Sequence, residues 1–261
     1  MKKSIIWSVN EVKKFINILP KLTYDEVYVA LLAARKKYDS KLPRSEELLN
    51  RKIIKDNKHI LSKIKQLSYV ENIYTDKDGR YINPNAMVML FKLNPCSTLK
   101  ATPNIIKKLV DKYSVFMNTE KNEMLNSNSS NNHRNSYPFF TSFRYIDTIV
   151  FSEIHKTTSN KYWYIVDIDS PNISLVKAIG KKLSTNGLEF SNDFFIHNTR
   201  SGFHILVRNI KLESPSEYKT TGELLWKEFS KINNVELKHD TTSIPGTLQG
   251  GVKIKFINKL W

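Results

Sequence analysis

The stretch 162–169, YWYIVDID, limits the possible folds of this chain more than any other. Its aromatic and β-branched residues suit a buried strand, and the run stops at two carboxylates, Asp167 and Asp169. Side chains along a strand alternate faces, so these two aspartates share a face about 6.6 Å apart. Like charges that close repel unless a cation sits between them, and hard oxygen donors suit Mg²⁺ or Mn²⁺. The same pattern is met in solvated strand ends and in glycosyltransferases that use nucleotide sugars, so the paired aspartates alone do not name a reaction.

Two later motifs sharpen the reading. TRSGFHILV, 199–207, is a basic turn leading to His204 at the start of a strand. Its glycine lets backbone approach a phosphate closely, while Arg200 and His204 supply charge-assisted donors. HDTTSIPGTLQGG, 239–251, sets a third aspartate, Asp240, after the strand-like VELKH and before a Pro-Gly turn. Asp167, Asp169 and Asp240 together would complete a two-metal site beside a phosphate pocket. Thr247 in the Pro-Gly turn and Lys253 in VKIKFI are further nucleotide-binding candidates. His155, His197 and His239 show no ligand spacing.

Charge points the same way. The 261 residues carry 41 Lys and Arg against 25 Asp and Glu, a net charge of +16. Such an excess draws polyanions, nucleic acid first among them, although a Lys- and Asn-rich composition also follows from an AT-rich gene. Arg35, Lys36, Lys37, Lys100 and Lys255 are the candidate nucleic-acid contacts. Nothing approaches the ~20 apolar residues of a membrane span, and the N-terminal apolar run is broken at Asn10 and Glu11, so no signal peptide is read and a cytoplasmic protein is expected. A single cysteine, Cys96, excludes an internal disulfide and argues against zinc.

The pattern along the chain predicts an α+β fold. Residues 1–80 read as mainly helical. Ser8 with Glu11 and Thr23 with Glu26 form capping boxes, the second opening a helix over 24–38, and a third helix is expected at 45–67. Asp78-Gly79 suggests a hairpin. Residues 86–93 read as a buried strand, and Thr102-Pro103 as the start of a helix to about 113. The polar segment 119–136 reads as a flexible loop. Strands are then expected at 141–151, 161–169, 194–198, 203–207 and 252–257. Helices are expected from Ser170-Pro171 to near Gly187 and from Ser214-Pro215 to Ile232. Residues 81–261 follow as a region of mixed strands and helices, as a second domain or within one compact two-lobed unit.

In this order, the three motifs resemble those of the archaeo-eukaryotic primase superfamily. Asp167-Ile168-Asp169 resembles its first motif, TRSGFHILV its second, and HDTTSIPGTLQGG its third. LFKLNPCSTLKA, 90–101, is similar to a segment of primase-polymerases encoded by plasmids, viruses and bacterial mobile elements. The resemblance implies that 81–261 is a catalytic core, with two lobes around a mixed sheet, one of them like an RNA-recognition fold, and template-directed nucleotidyl transfer from (d)NTPs. It implies Asp167, Asp169 and Asp240 as ligands of two Mg²⁺ or Mn²⁺ ions. It also implies that His204, Arg200, Ser201 and Gly202 hold the triphosphate. Expected partners are a single-stranded DNA template, a primer strand, and a helicase or other replication protein in trans. Ser243 stands where an arginine is common and Gln249 where a histidine is frequent, and no zinc module accompanies the core. The competing expectations are a metal-dependent glycosyltransferase and a non-catalytic nucleic-acid-binding protein with a decayed primase core.

Overall fold

The computed structural model describes residues 4–68, 74–76, 79–126, 138–213, 217–238 and 240–260. In chain order the elements are α1 (Val9–Ile18), β1 (Glu26–Arg35), β2 (Glu46–Ile54), α2 (Ile60–Leu67), β3 (Met87–Lys92), β4 (Cys96–Ser97), α3 (Thr98–Asn126) and α4 (Pro138–Lys156). They continue with β5 (Trp163–Ile168), α5 (Ile173–Thr185), β6 (Phe194–Asn198), β7 (Phe203–Arg208), α6 (Thr221–Phe229), β8 (Val235–Lys238), β9 (Thr241–Ser243), β10 (Leu248–Gln249) and β11 (Val252–Lys253). The fold is α+β, as expected.

Two sheets organise it. The larger runs β11-β10-β3-β1-β2, with β4 added to β1 and β9 to β3. The smaller runs β6-β7-β5-β8 and is built from the order β5-α5-β6-β7-α6-β8, the split βαβ connectivity of ferredoxin-like folds. Val176, Ile179 and Leu183 of α5 and Leu224, Leu225 and Phe229 of α6 cover one face of the small sheet, over Val166, Ile168, Ile196 and Ile205. The opposite face, with Trp163, Ile165 and Leu206, shares a core with Tyr28, Leu32, Met89 and Phe91 of the large sheet. The far side of the large sheet is covered by Phe151 and Ile154 of α4, over Val27, Val29 and Cys96. No described helix is long and apolar enough to cross a membrane.

The N-terminal region is not mainly helical. Residues 26–35 form the central strand β1, buried along nearly its whole length between β2 and β3. Burial on both faces erases the alternation that marks a strand, leaving a leucine- and alanine-rich run with helical character. Half of the second capping box survives without a helix, since the Thr23 amide donates to Glu26 Oε2 at 3.0 Å. The first box does open α1, whose Ser8 hydroxyl accepts from the Glu11 amide. The stretch read as one helix at 45–67 divides into β2 and α2.

Other expectations shift too. Every strand pairing in both sheets is antiparallel, so the expected mixed sheet is corrected. Residues 141–151 are helical, because Phe151 and Ile154 at helical spacing pack on the sheet while Asp147 pairs with Arg51 at 2.5 Å. Helix α3 begins at Thr98, takes in Pro103 and continues to Asn126, into the expected loop. The rest of that loop, Asp78, His239 and Ser214-Pro215 lie outside the described residues. Strand β3 is buried throughout, as expected. Helix α5 is capped by Asn172 rather than Ser170. The closing strand shrinks to β11, with Val252 exposed and Ile254 buried.

Candidate functional site

Strand register brings the first two motifs together. Asp167 on β5 lies opposite His204 on β7, and His204 lies opposite His197 on β6. All three point toward the large sheet. Asp167 is 2% exposed, and its Oδ1 stands 3.0 Å from His204 Nε2, while the Lys238 ammonium meets Oδ2. Burial pushes the Asp167 pKa up, but the His204 hydrogen bond and charge, with Lys238, outweigh it and hold the carboxyl at about 2. Asp167 is therefore a carboxylate, and the proton in the contact belongs to His204.

Thr242 of β9 reaches this cluster from the other sheet. Its Oγ1 is 2.8 Å from His204 Nδ1 and 2.9 Å from His197 Nε2. His197 Nδ1 faces the Asn198 carbonyl at 2.9 Å, which requires a proton on that nitrogen. His197 is fully buried, and desolvation, with the nearby His204, depresses its pKa to about 3. It is a neutral Nδ1–H tautomer.

Above the cluster lies a rim built from all three motifs. The turn 199–202 is closed by the Thr199 amide on Gly202 O at 2.8 Å and the Gly202 amide on Thr199 Oγ1 at 3.0 Å. Gly202 rests on the end of β5. A Cβ there would run into the Ile168 carbonyl oxygen and stand 2.9 Å from the Ser170 nitrogen. The Arg200 amide donates to Gln249 Oε1 at 3.1 Å, and its Nη1 donates to Gly250 O at 2.8 Å. Arg200 also covers the Tyr38 ring at 4.6 Å, and the Tyr38 hydroxyl accepts from Gln249 Nε2 at 2.9 Å. Gly250, with φ +58°, has no room for a side chain beneath Arg200 and Tyr38. Asp169, Arg200 and Ser201 are exposed at this rim.

The sequence-predicted residues divide accordingly. Asp167, Asp169, Arg200, Ser201, Gly202 and His204 come together. His204 differs from its expected role, because both ring nitrogens are engaged inward, leaving neither for a triphosphate. Thr247 is fully buried and donates to Ile244 O at 2.7 Å within its own turn, so it is removed from the nucleotide contacts. Lys253 lies over the Trp7 ring at 5.4 Å, exposed. Lys36 and Lys37 are exposed beside Tyr38, whereas Arg35 pairs with Glu46 at 2.7 Å. Lys255 is exposed next to Asn198, whose side chain accepts the Lys255 amide at 2.7 Å. Lys100 is spent elsewhere, donating to the carbonyls of Thr158 and Ser159 at 3.2 and 3.0 Å.

Asp240 does not join the other aspartates. The chain crosses from the small sheet, where β8 pairs with β5, to the large sheet, where β9 pairs with β3. Asp240 sits in that crossing. It lies two residues past Lys238, itself the partner of Ile165, so its backbone stands roughly 13 Å along the strand direction from Asp167. Its carboxylate accepts from the Asn94 amide group and from Thr158 Oγ1 at 3.0 Å, with Lys92 Nζ at 3.7 Å. Removing this charge takes the counter-ion from Lys92, which is buried and keeps the His155 carbonyl, and weakens a contact of the fully buried Asn94, which still donates to Trp163 O. Asp240→Asn is therefore expected to cost about 2 kcal/mol of stability, read by denaturant unfolding. Unchanged stability with complete loss of nucleotide incorporation would return Asp240 to the catalytic carboxylates.

This arrangement decides which cation the residues fit. Asp169 is exposed and, among the described residues, has no ion pair, so it is the carboxylate of the pair open to a cation, whereas Asp167 already has its two oxygens on His204 and Lys238. The expected two-ion set with Asp240 does not fit, because that carboxylate is held in the crossing. Among the described residues no three His, Cys, Asp or Glu side chains are gathered to hold a metal ion.

Thr242, His197, Lys238 and Tyr38 were missed by the sequence reading. For His197 a signal existed. A hairpin closed at 199–202 sets 197 opposite 204. Thr242 and Tyr38 reach the site only through packing of one sheet against the other. Comparisons with protein-family models, curated proteins and solved structures return no match.

Proposed function

We propose that this chain is a nucleotidyltransferase of the primase-polymerase type, extending or making primers on single-stranded DNA from (d)NTPs. One observation carries the reading: three segments distant in sequence, 167–169, 199–204 and 249–250, meet at a single rim with Asp169, Arg200 and Ser201 outermost. Arg200 keeps guanidinium N–H groups beyond the one given to Gly250, and their planar fork matches phosphate oxygens. Exposed Lys36 and Lys37 precede Tyr38, which packs on Arg200, and exposed Lys253 and Lys255 are tied through their backbones to Asn198 just before the turn, providing cations for a polynucleotide backbone. A divalent ion held by Asp169, and by Asp167 where the ion takes the place of the Lys238 ammonium on Oδ2, would neutralise charge on the transferring phosphate. His204 and Lys238 hold the Asp167 carboxylate ionised and in place.

One observation favours a second reading, a nucleic-acid-binding protein without catalysis: the capture of Asp240 by Asn94 and Thr158. Incorporation of labelled nucleotide on single-stranded template with Mg²⁺ or Mn²⁺, with and without primer, separates the two. The wild-type protein is expected to incorporate. Asp169→Ala is expected to fall to background while its stability changes by no more than about 0.5 kcal/mol, since the side chain is exposed. Equal incorporation by both proteins removes Asp169 from the site. DNA binding without incorporation by the wild type establishes the second reading.

A further inference from the structure

His197 and His204 stand side by side with ring centroids 5.0 Å apart, and the Thr242 hydroxyl bridges their facing nitrogens. A hydroxyl has one proton to donate. Because the Asn198 carbonyl fixes the proton of His197 on Nδ1, His197 Nε2 is an acceptor and takes the Thr242 proton. Thr242 Oγ1 then accepts from His204 Nδ1–H, and on the opposite edge His204 Nε2–H donates to Asp167 Oδ1, so both ring nitrogens of His204 are donors. A half-turn of the His204 ring would put a carbon edge on Asp167 at little steric cost, so the Thr242 contact selects the productive orientation. The bridge also crosses between sheets, since the histidines belong to the small sheet and Thr242 to the large one.

We propose that Thr242 is a positioning residue for the nucleotidyl-transfer site, its hydroxyl donating to His197 Nε2 and accepting from His204 Nδ1–H, which fixes the orientation of the His204 ring and thereby holds its Nε2–H edge on Asp167. This rests on the primase-polymerase reading for its activity readout only; the His197 tautomer and the His204 ring contacts are observable without it. Thr242→Val keeps the shape and removes the hydroxyl, and Thr242→Ser returns it. Long-range ¹H–¹⁵N spectra of the imidazoles in the full chain are expected to show His197 as the neutral Nδ1–H form in the wild type. In Thr242→Val the His197 Nε2 and His204 Nδ1 resonances shift. The kcat for incorporation falls about 10–100-fold with KM for nucleotide little changed, and Thr242→Ser recovers most of both signatures. A wild-type His197 protonated on Nε2, or a Thr242→Val protein with wild-type imidazole spectra, overturns the proposal. If the wild-type protein incorporates nothing, the functional reading falls and the spectra alone decide the tautomer relay.

Discussion

Gly202→Ala is expected to cost roughly 3 kcal/mol of stability and to abolish nucleotide incorporation. The added methyl meets backbone, not a flexible side chain. The Ile168 carbonyl ends β5, one of the two inner strands of the small sheet, and the Ser170 nitrogen follows two residues on, so both are backbone groups that cannot rotate away. Either the 199–202 turn lifts off or the strand end carrying Asp169 is displaced, and both separate the motifs that form the rim. The thermal midpoint should drop by about 6–12 °C at this chain size. A Gly202→Ala protein with wild-type melting and activity would mean that the turn does not rest on the aspartate strand.

The second large effect is acid lability centred on His197. Its ring is buried neutral, with a folded pKa of about 3 against an ordinary 6.5. Above pH 6.5 it is uncharged in folded and unfolded chains, and its contribution is fully present. Between 6.5 and 3 the unfolded chain binds a proton that the folded chain refuses, so stability falls with pH by up to about 1.4 kcal/mol per unit. Asp167 acts lower. Its contribution is present above its ordinary value of 3.8 and lost as pH falls toward about 2. Denaturant unfolding at pH 7, 6 and 5 should show a loss of about 2 kcal/mol for the wild type from this histidine. His197→Gln, less stable at pH 7, should show a slope flatter by that amount. Equal slopes would mean that the folded protein accepts the proton.

Much of the small sheet was legible in the sequence, because β5, β6 and β7 are short runs bounded by turns, and one of them ends in charge. The hairpin β6-β7 and the end of β5 at the paired aspartates follow from those signals alone. The large sheet was not legible. Strand β1 is enclosed on both faces and spends Leu and Ala where a strand is usually marked by β-branched residues and alternation, so propensity misdirects and pairing with β2 and β3 decides. Helix α4 is the converse, a β-branched and aromatic stretch that tertiary packing makes helical. At the site, charged motif residues were visible, but their partners were not. Lys238 and Thr242 reach the cluster through register and sheet packing, neither of which a linear spacing displays. Asp240 looked like a ligand because it follows a strand and precedes a turn, yet that same position is where the chain leaves one sheet for the other.

Under the proposed function a nucleotide triphosphate seats on the rim joining the paired aspartates, the 199–202 turn and the Gly250 loop. Amide chemical-shift mapping of the full chain titrated with a dNTP and Mg²⁺ tests it directly. The largest shifts are expected at Asp169, Ser201, Gly202 and Gly250. Shifts centred instead on the cleft between β2 and α4, lined by Arg51, Lys52, Asp147 and Phe151, or no shifts at all, would contradict it.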